Sequence, residues 1–235
     1  MGAPLLFRDH RLEETHALLL AHYGRPEPRQ VWDPLTQMIY SMLSSRTKTE
    51  LSHAVLRRLR DQFGGWEGRW ERLRDAPVEE IAEEIREITF PEPKAANLKT
   101  TLEQITARVG VLSLDFLAGY KTEKIRAWLE RFPGVGPKTS AAVVNFSALR
   151  RRALCIDSHH LRVSKRLGWV PESADVRETE HRLMAMAPEI WTAEMLDEHH
   201  MLVKLHGQRL CPKTKPSCAG CPLREMCPTG QAQLH

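Results

Sequence analysis

The 235-residue chain carries 34 Lys and Arg against 30 Asp and Glu, a formal net charge of +4 with neutral histidines. With 42% hydrophobic and 27% charged residues, and no apolar run near the roughly 20 residues of a membrane span, neither a disordered chain nor a membrane protein fits. The mildly basic balance favours a polyanionic partner, although an ordinary solvated surface carries a similar excess.

The opening MGAPLLFRDHRLEETH has no basic stretch leading into an apolar one, and Leu6 stands where a myristoylation signal wants Ser or Thr. A cytoplasmic, nucleoid-associated location is the expectation. Apolar residues then recur at helical spacing in Leu35, Met38, Ile39, Met42 and Leu43, in Leu51, Val55, Leu56 and Leu59, and through Ile81, Ile85 and Ile88. Nothing alternates with period two. Gly64-Gly65, Pro77, Pro91 with Pro93, Pro133 to Pro137, Gly168 with Pro171, and Pro188 punctuate the chain into about ten helices. The expectation is an all-α protein of two helical layers with short loops, fraying after Cys227.

Residues 122–132, TEKIRAWLERF, place Ile125, Trp128, Leu129 and Phe132 on one face. Pro133-Gly134-Val135-Gly136 interrupts, and Pro137 opens a second helix, KTSAAVVNFSAL. Glycines at 134 and 136 permit backbone angles closed to other residues, and Pro137 suits a first helical position that needs no N–H. The bare N–H groups of such a turn can hold a phosphate. A plain helix connection is the alternative.

Four of the five cysteines, Cys211, Cys218, Cys221 and Cys227, form C-x6-C-x2-C-x5-C near the C-terminus. From chemistry alone an iron–sulfur cubane, a zinc ion and a pair of disulfides are all open. The compact, uneven spacing favours the cubane, because zinc sites more often pair two C-x2-C knuckles across a longer arm. Cys155 lies in an apolar run and reads as a small buried hydrophobe.

FPGVGPKTSAAVVNF, followed 19 residues beyond its lysine by Asp157 in CIDSHHLRVSKRLG, resembles the helix-hairpin-helix element of the endonuclease III family of DNA glycosylases. MLSSRTK (42–48), KAANL (94–98) and HHMLVKLHGQRLC (199–211) extend the resemblance over roughly residues 30–230, and the cysteine spacing matches that family's cluster loop at every interval. The resemblance implies two helical domains with a DNA cleft between them. A six-helix domain would span 30–149, with its hairpin at 122–149, and residues 1–29 plus 150–235 would build the cluster domain. It also implies a [4Fe-4S] cofactor on Cys211, Cys218, Cys221 and Cys227, and damaged double-stranded DNA as partner.

The same resemblance gives Lys138 the place of the catalytic nucleophile. A neutral amine can attack the anomeric carbon, expel the base and leave a Schiff base that drives β-elimination. A solvated lysine near pKa 10.4 is only about 0.1% neutral at pH 7.4, and lowering it by about 3 units requires about 4 kcal/mol. A helix N-terminus supplies at most about 1–2 kcal/mol, so burial or a neighbouring cation must supply the rest. Asp157 falls where the family keeps its essential carboxylate, a fixed charge for the developing positive sugar, and it also suits an ordinary helix N-cap.

By position, Arg46 and Phe90 fall where relatives place intercalating residues that fill the gap left by an extruded base. A surface arginine and a core phenylalanine are the plain readings. Gly134, Val135, Gly136 and Thr139 at the hairpin, and Lys213 and Lys215 in the cluster loop, complete the expected DNA contacts. His159 and His160 read first as helix-packing residues. Thr49 and Pro91 depart from the family, replacing an acidic and an aromatic residue of the lesion pocket, and Pro137 removes a basic residue common there. The expected activity is a monomeric bifunctional glycosylase and abasic-site lyase acting on oxidised pyrimidines. The alternative is a lyase-only or damage-binding protein of the same fold. An electron-transfer protein needs neither the hairpin nor Lys138, and a monofunctional mismatch glycosylase would usually replace that lysine.

Overall fold

In the computed structural model, which describes residues 9–232, helix follows helix, and no strand occurs among the described residues. The all-α class expected from the apolar spacing is the class found. The opening segment with Leu6, and residues 233–235, lie outside the described residues. Two compact units divide the chain: Gln30–Arg151, and a second unit of Met1–Arg29 with Arg152–His235.

The first unit is built around α2 (Pro34–Leu43), a helix without a polar face, whose ten residues are all buried. Asp33 caps it by accepting from the Thr36 N–H at 2.9 Å, and Pro34 occupies the first turn, where its missing N–H costs nothing. Fully burying Leu35, Met38, Ile39 and Leu43 contributes about 1.5–3 kcal/mol each before chain entropy is charged against it. A polar tether across this core runs from Trp70 Nε1 to Thr36 Oγ1, 2.9 Å.

Around α2 lie α3 (Thr49–Phe63), α4 (Glu71–Asp75), α5 (Val78–Glu84), α6 (Pro91–Val109), α7 (Thr122–Leu129) and α8 (Pro137–Phe146), with α8 packed on α2. Seven α-helices thus form this unit, one of them, Glu71–Asp75, only five residues long, with short 3-10 turns at Trp66–Gly68 and Asp115–Gly119. The spacing Ile81, Ile85, Ile88 keeps all three side chains buried, yet α5 stops at Glu84. Arg58 from α3 donates Nε to the Glu84 carbonyl at 2.9 Å, giving that oxygen a partner other than the next helical turn.

The second unit joins α1 (Arg11–Tyr23) to α9 (Ser158–Arg166), α10 (Val176–Met186), α11 (Ala193–Arg209) and α12 (Pro228–Ala232). Leu12 and Leu19 of α1 enter one core with Val163, Leu183, Leu196, Leu202 and Val203. Arg29 binds the buried Asp197 through Nε and Nη2 at 2.9–3.1 Å, pinning the end of the N-terminal piece to α11. The segment after Cys227, expected to fray, instead turns through α12: Gln231 N–H donates to the Cys227 carbonyl at 2.9 Å, and Gly230 is buried. Among the described residues, no helix is long and apolar enough to cross a membrane.

Candidate active site

The hairpin that should grip a phosphate is rigid before any ligand arrives. Ser140, fully buried on α8, donates to Glu130 Oε1 at 2.6 Å and accepts from Arg126 Nε at 3.1 Å, tying α7 to α8. Thr101 of α6 fixes the Pro133 carbonyl at 3.1 Å. Gly134 has φ +78°, and a Cβ there would sit 3.2 Å from Met42 Cε, so both conformation and space call for glycine. Gly136 differs from expectation: its φ of −101° is open to any residue. Nothing lies within 4 Å of a Cβ built on Gly136, so its value is an open face.

Val135 also departs from expectation. Its side chain is buried, and its N–H already donates to the Phe132 carbonyl at 3.2 Å, leaving no group to offer DNA. The first bond of α8 runs from the Ser140 N–H to the Gly136 carbonyl. The N–H groups of Lys138 and Thr139 therefore precede the helical ladder, while the Thr139 side chain is itself buried. Lys138 occupies this first turn, half-buried.

Beside it, sequence reasoning missed Lys94. This lysine of α6 donates Nζ to the Leu43 carbonyl at 2.7 Å, the Ser45 carbonyl at 2.7 Å and Thr47 Oγ1 at 3.2 Å. Burial, and then the charge of Lys138, pushes it down to about 8. The KAANL string marked this turn, but nothing in the string says what its lysine binds. The loop that Lys94 holds carries Arg46, which is exposed with φ +56°. Phe90, at φ +58° and ψ +60°, is 54% exposed, so its plain reading as a core residue fails. Such left-handed angles cost about 1–2 kcal/mol in a residue with a Cβ. The Arg46 guanidinium lies 5.9 Å from the Phe90 ring centroid, and Thr89 Oγ1 donates to the Arg46 carbonyl at 2.8 Å. Thr49 and Pro91 each open a helix, α3 and α6.

In the other unit, Asp157 is the N-cap of α9. Its Oδ1 accepts from the His159 and His160 N–H groups at 2.9 and 2.8 Å. Burial raises the carboxyl, but His200, the His160 N–H and Lys204 outweigh it and bring it down to about 2. His160 is a packing residue, as expected, and it belongs to a row of imidazoles that the spacing did not reveal. His16 and His199 lie 5.6 Å apart, His199 and His160 5.5 Å, and His160 and His200 6.1 Å. Both ring nitrogens of His160 and of His199 are buried without a hydrogen-bond partner. His200 binds the carbonyl of Cys155, itself buried as expected, at 2.7 Å. Burial, then neighbouring histidines, holds His160 near about 3 and His199 well below the usual imidazole range. His200 is held near about 4, chiefly by burial. His159 instead pairs with Arg162 at 3.0 Å.

Cys211, Cys218, Cys221 and Cys227 line one cavity together with Val163, Leu167 and Leu223. All four are free thiols, which removes the disulfide option. Among the described residues, no three His, Cys, Asp or Glu side chains converge tightly enough for a single metal ion. Four cysteine sulfurs lining one cavity are the donor set that a four-iron cubane takes, one thiolate to each iron. Burial and the neighbouring cysteines push the Cys218 and Cys221 thiols up, so four thiolates call for a cationic occupant. Arg166 donates to Cys211 Sγ at 3.0 Å and to the Pro212 and Lys213 carbonyls at 2.7 and 2.9 Å. Lys213 and Lys215 project from this loop into solvent.

Residues 39–189 match the family model of the HhH-GPD superfamily base excision DNA repair protein, and the chain belongs to that superfamily. Within it, the chain is similar to endonuclease III. The Bacillus subtilis enzyme is 35% identical over 156 residues, covering 66% of this chain and 64% of that protein. The Sulfolobus acidocaldarius enzyme is 30% identical over 158 residues, covering 67% and 66%. The chain thus spans just under two thirds of the length of these relatives. Its fold resembles that of a trapped endonuclease III–DNA covalent intermediate, with a TM-score of 0.77 at 23% identity over 98% of this chain and 100% of that one.

Proposed function

We propose that this chain is a bifunctional DNA glycosylase and abasic-site lyase that acts on oxidised pyrimidines in duplex DNA as a monomer. The observation that carries the reading is Lys138: a half-buried amine on the first turn of α8, directly after a rigid hairpin with an open glycine face. Lys94, brought down to about 8 by burial and then by the charge of Lys138, is the second cation near this amine.

In this reading the Lys138 Nζ lone pair bonds to C1′ of the flipped nucleotide, the C1′–N bond breaks, and the base leaves with its electron pair and takes up a proton. The ring opens to a protonated Schiff base, whose acidified C2′ proton is removed as the 3′ phosphate departs. Asp157, whose carboxylate accepts two backbone N–H groups, is in this reading the fixed negative charge that favours the developing cation. Gly136 and the first-turn N–H groups of Lys138 and Thr139 hold phosphate, and Lys213 and Lys215 extend the basic contact. Arg46 and Phe90 enter the gap.

Cys211, Cys218, Cys221 and Cys227 would hold a [4Fe-4S] cluster. When bound, it ties the loop from 211 to 227 into one shape and bears on catalysis only through that shape. The test uses duplexes containing thymine glycol, dihydrouracil or an abasic site, with borohydride present, against Lys138→Ala. Wild-type adducts on the damaged bases that vanish in the variant are expected. Adducts on abasic DNA alone would leave a lyase without base removal, and no lysine-dependent adduct on any duplex would reject both.

A further inference from the structure

Two exposed side chains, Arg46 and Phe90, come from segments more than forty residues apart, yet both stand on left-handed backbone. Such angles persist where the surroundings over-determine them, and here the surroundings can be named. The Leu43–Thr47 strand of loop gives three oxygen atoms to a single ammonium, that of Lys94. Lys94 itself sits on the first turn of α6, and its N–H donates to the Phe90 carbonyl at 3.3 Å. Thr89, next to Phe90, closes the other side by donating to the Arg46 carbonyl. One residue thus joins the carbonyl that follows Phe90 to the loop around Arg46, and a second joins the residue before Phe90 to Arg46 itself.

We propose that Arg46 and Phe90 form a single composite wedge, with Lys94 and Thr89 as the positioning residues that lock the two loops into one body. The proposal rests on the DNA-lesion reading of the site. The Arg46 guanidinium over the Phe90 ring, 5.9 Å from its centroid, adds an attraction between the two blades. The consequence is mechanical. Extruding a base means pushing two side chains into a stacked duplex, and a blade on a loose loop would bend away instead. A lysine suits the clamp because its three donors match the three oxygens, whereas a planar guanidinium fork does not. This clamp matters only where a duplex must be opened, so single-stranded DNA makes no use of it.

The test compares wild type, Thr89→Val, Lys94→Met, Arg46→Ala, Phe90→Ala and the Arg46→Ala/Phe90→Ala double variant. Two substrates are used: a thymine glycol duplex and a single-stranded abasic oligonucleotide with borohydride. Thr89→Val is far less invasive than Lys94→Met and leaves the charge beside Lys138 intact. Each clamp variant should lower kcat/KM on the duplex by about tenfold relative to its own single-strand trapping rate, and Thr89→Val should trap single-stranded DNA at the wild-type rate. A 2-aminopurine opposite the lesion should lose its extrusion-dependent fluorescence rise in step. The double variant should lose little more than the worse single variant, because a broken composite has nothing further to lose. Unchanged duplex-to-single-strand ratios, or purely multiplicative losses from Arg46→Ala and Phe90→Ala, would overturn the composite wedge. Failure of the wild-type protein to trap any DNA would instead reject the functional reading beneath it.

Discussion

The row of buried imidazoles makes acid stability the sharpest quantity to measure. His160, His199 and His200 are buried and held neutral in the folded chain, with His160 lowered to about 3, His200 to about 4 and His199 well below the usual imidazole range. An unfolded imidazole titrates near 6.5. The unfolded state therefore binds more protons below that pH, so stability is full above about 6.5 and falls as pH falls towards the folded values. At pH 5 a ring held at about 3 or about 4 contributes about 1.5 units of the difference, or about 2 kcal/mol, and His199 acts in the same direction. That compares with roughly 5–15 kcal/mol for a whole domain. The charged and titratable groups facing the row include the His16 ring with Glu198 and Arg25, and Asp157, Lys204, Arg29 and Asp197 around His200.

His160→Leu removes one titrating ring of similar bulk, and with it two nitrogens buried without partners, which cost about 1–3 kcal/mol when left so. At pH 8 the variant should be about as stable as wild type. Between pH 8 and pH 5 it should lose about 2 kcal/mol less. Urea midpoints for both proteins at pH 8, 7, 6 and 5 in one buffer salt give the comparison. Both proteins carry the same four thiols, so acid loss of a bound cluster cancels in the difference. Parallel stability curves for the two proteins would refute the reasoning, since they would mean that the ring is protonated in place or solvated.

Two further outcomes follow from the geometry. Asp157→Asn keeps an oxygen for the N-cap and should leave Tm nearly unchanged while cutting single-turnover excision more than about a hundredfold, whereas Asp157→Ala should also lose about 1 kcal/mol of stability. Equal activity for the Asn variant would remove the carboxylate from the chemistry. Gly65→Ala would put a methyl 2.5 Å from the Trp70 ring, forcing aside the residue that tethers α2, at about 1–3 kcal/mol. Gly119→Ala, with nothing within 4 Å, is the control, and equal melting temperatures for the two would contradict the packing described.

What the amino-acid pattern reveals is burial. Leu35, Met38, Ile39, Met42 and Leu43 announce α2, because period 3.6 is written directly in the order of residues. The proline and glycines of 133–137 mark the hairpin by what their backbones permit, and the cysteine intervals bring four sulfurs to one cavity. Hydrogen-bond destinations are not written that way. Lys94 finds its oxygens about fifty residues upstream, and His16 meets His199 across most of the chain. Neither pairing leaves a local trace. Val135 and Gly136 fail for a finer reason: the string allows several ways to close the turn, and the Phe132 carbonyl selects one by taking the Val135 N–H. Phe90 reads as core by its chemistry and is exposed only because α6 starts at Pro91 and leaves its predecessor outside.

The Arg29–Asp197 pair closes a unit whose two pieces are separated along the chain by the whole of 30–151. Helix α1 is complete at Tyr23, yet α11, which carries Asp197 and covers its apolar side, begins about 170 residues later. At about 5–20 residues per second on the ribosome, those leucines wait on the order of ten to thirty seconds without a partner. The whole of 30–151 emerges meanwhile and can complete its own core. A nascent chain of this protein therefore carries an orphan amphipathic helix ahead of a finished body, and that helix is the segment for which a holding chaperone has a physical use.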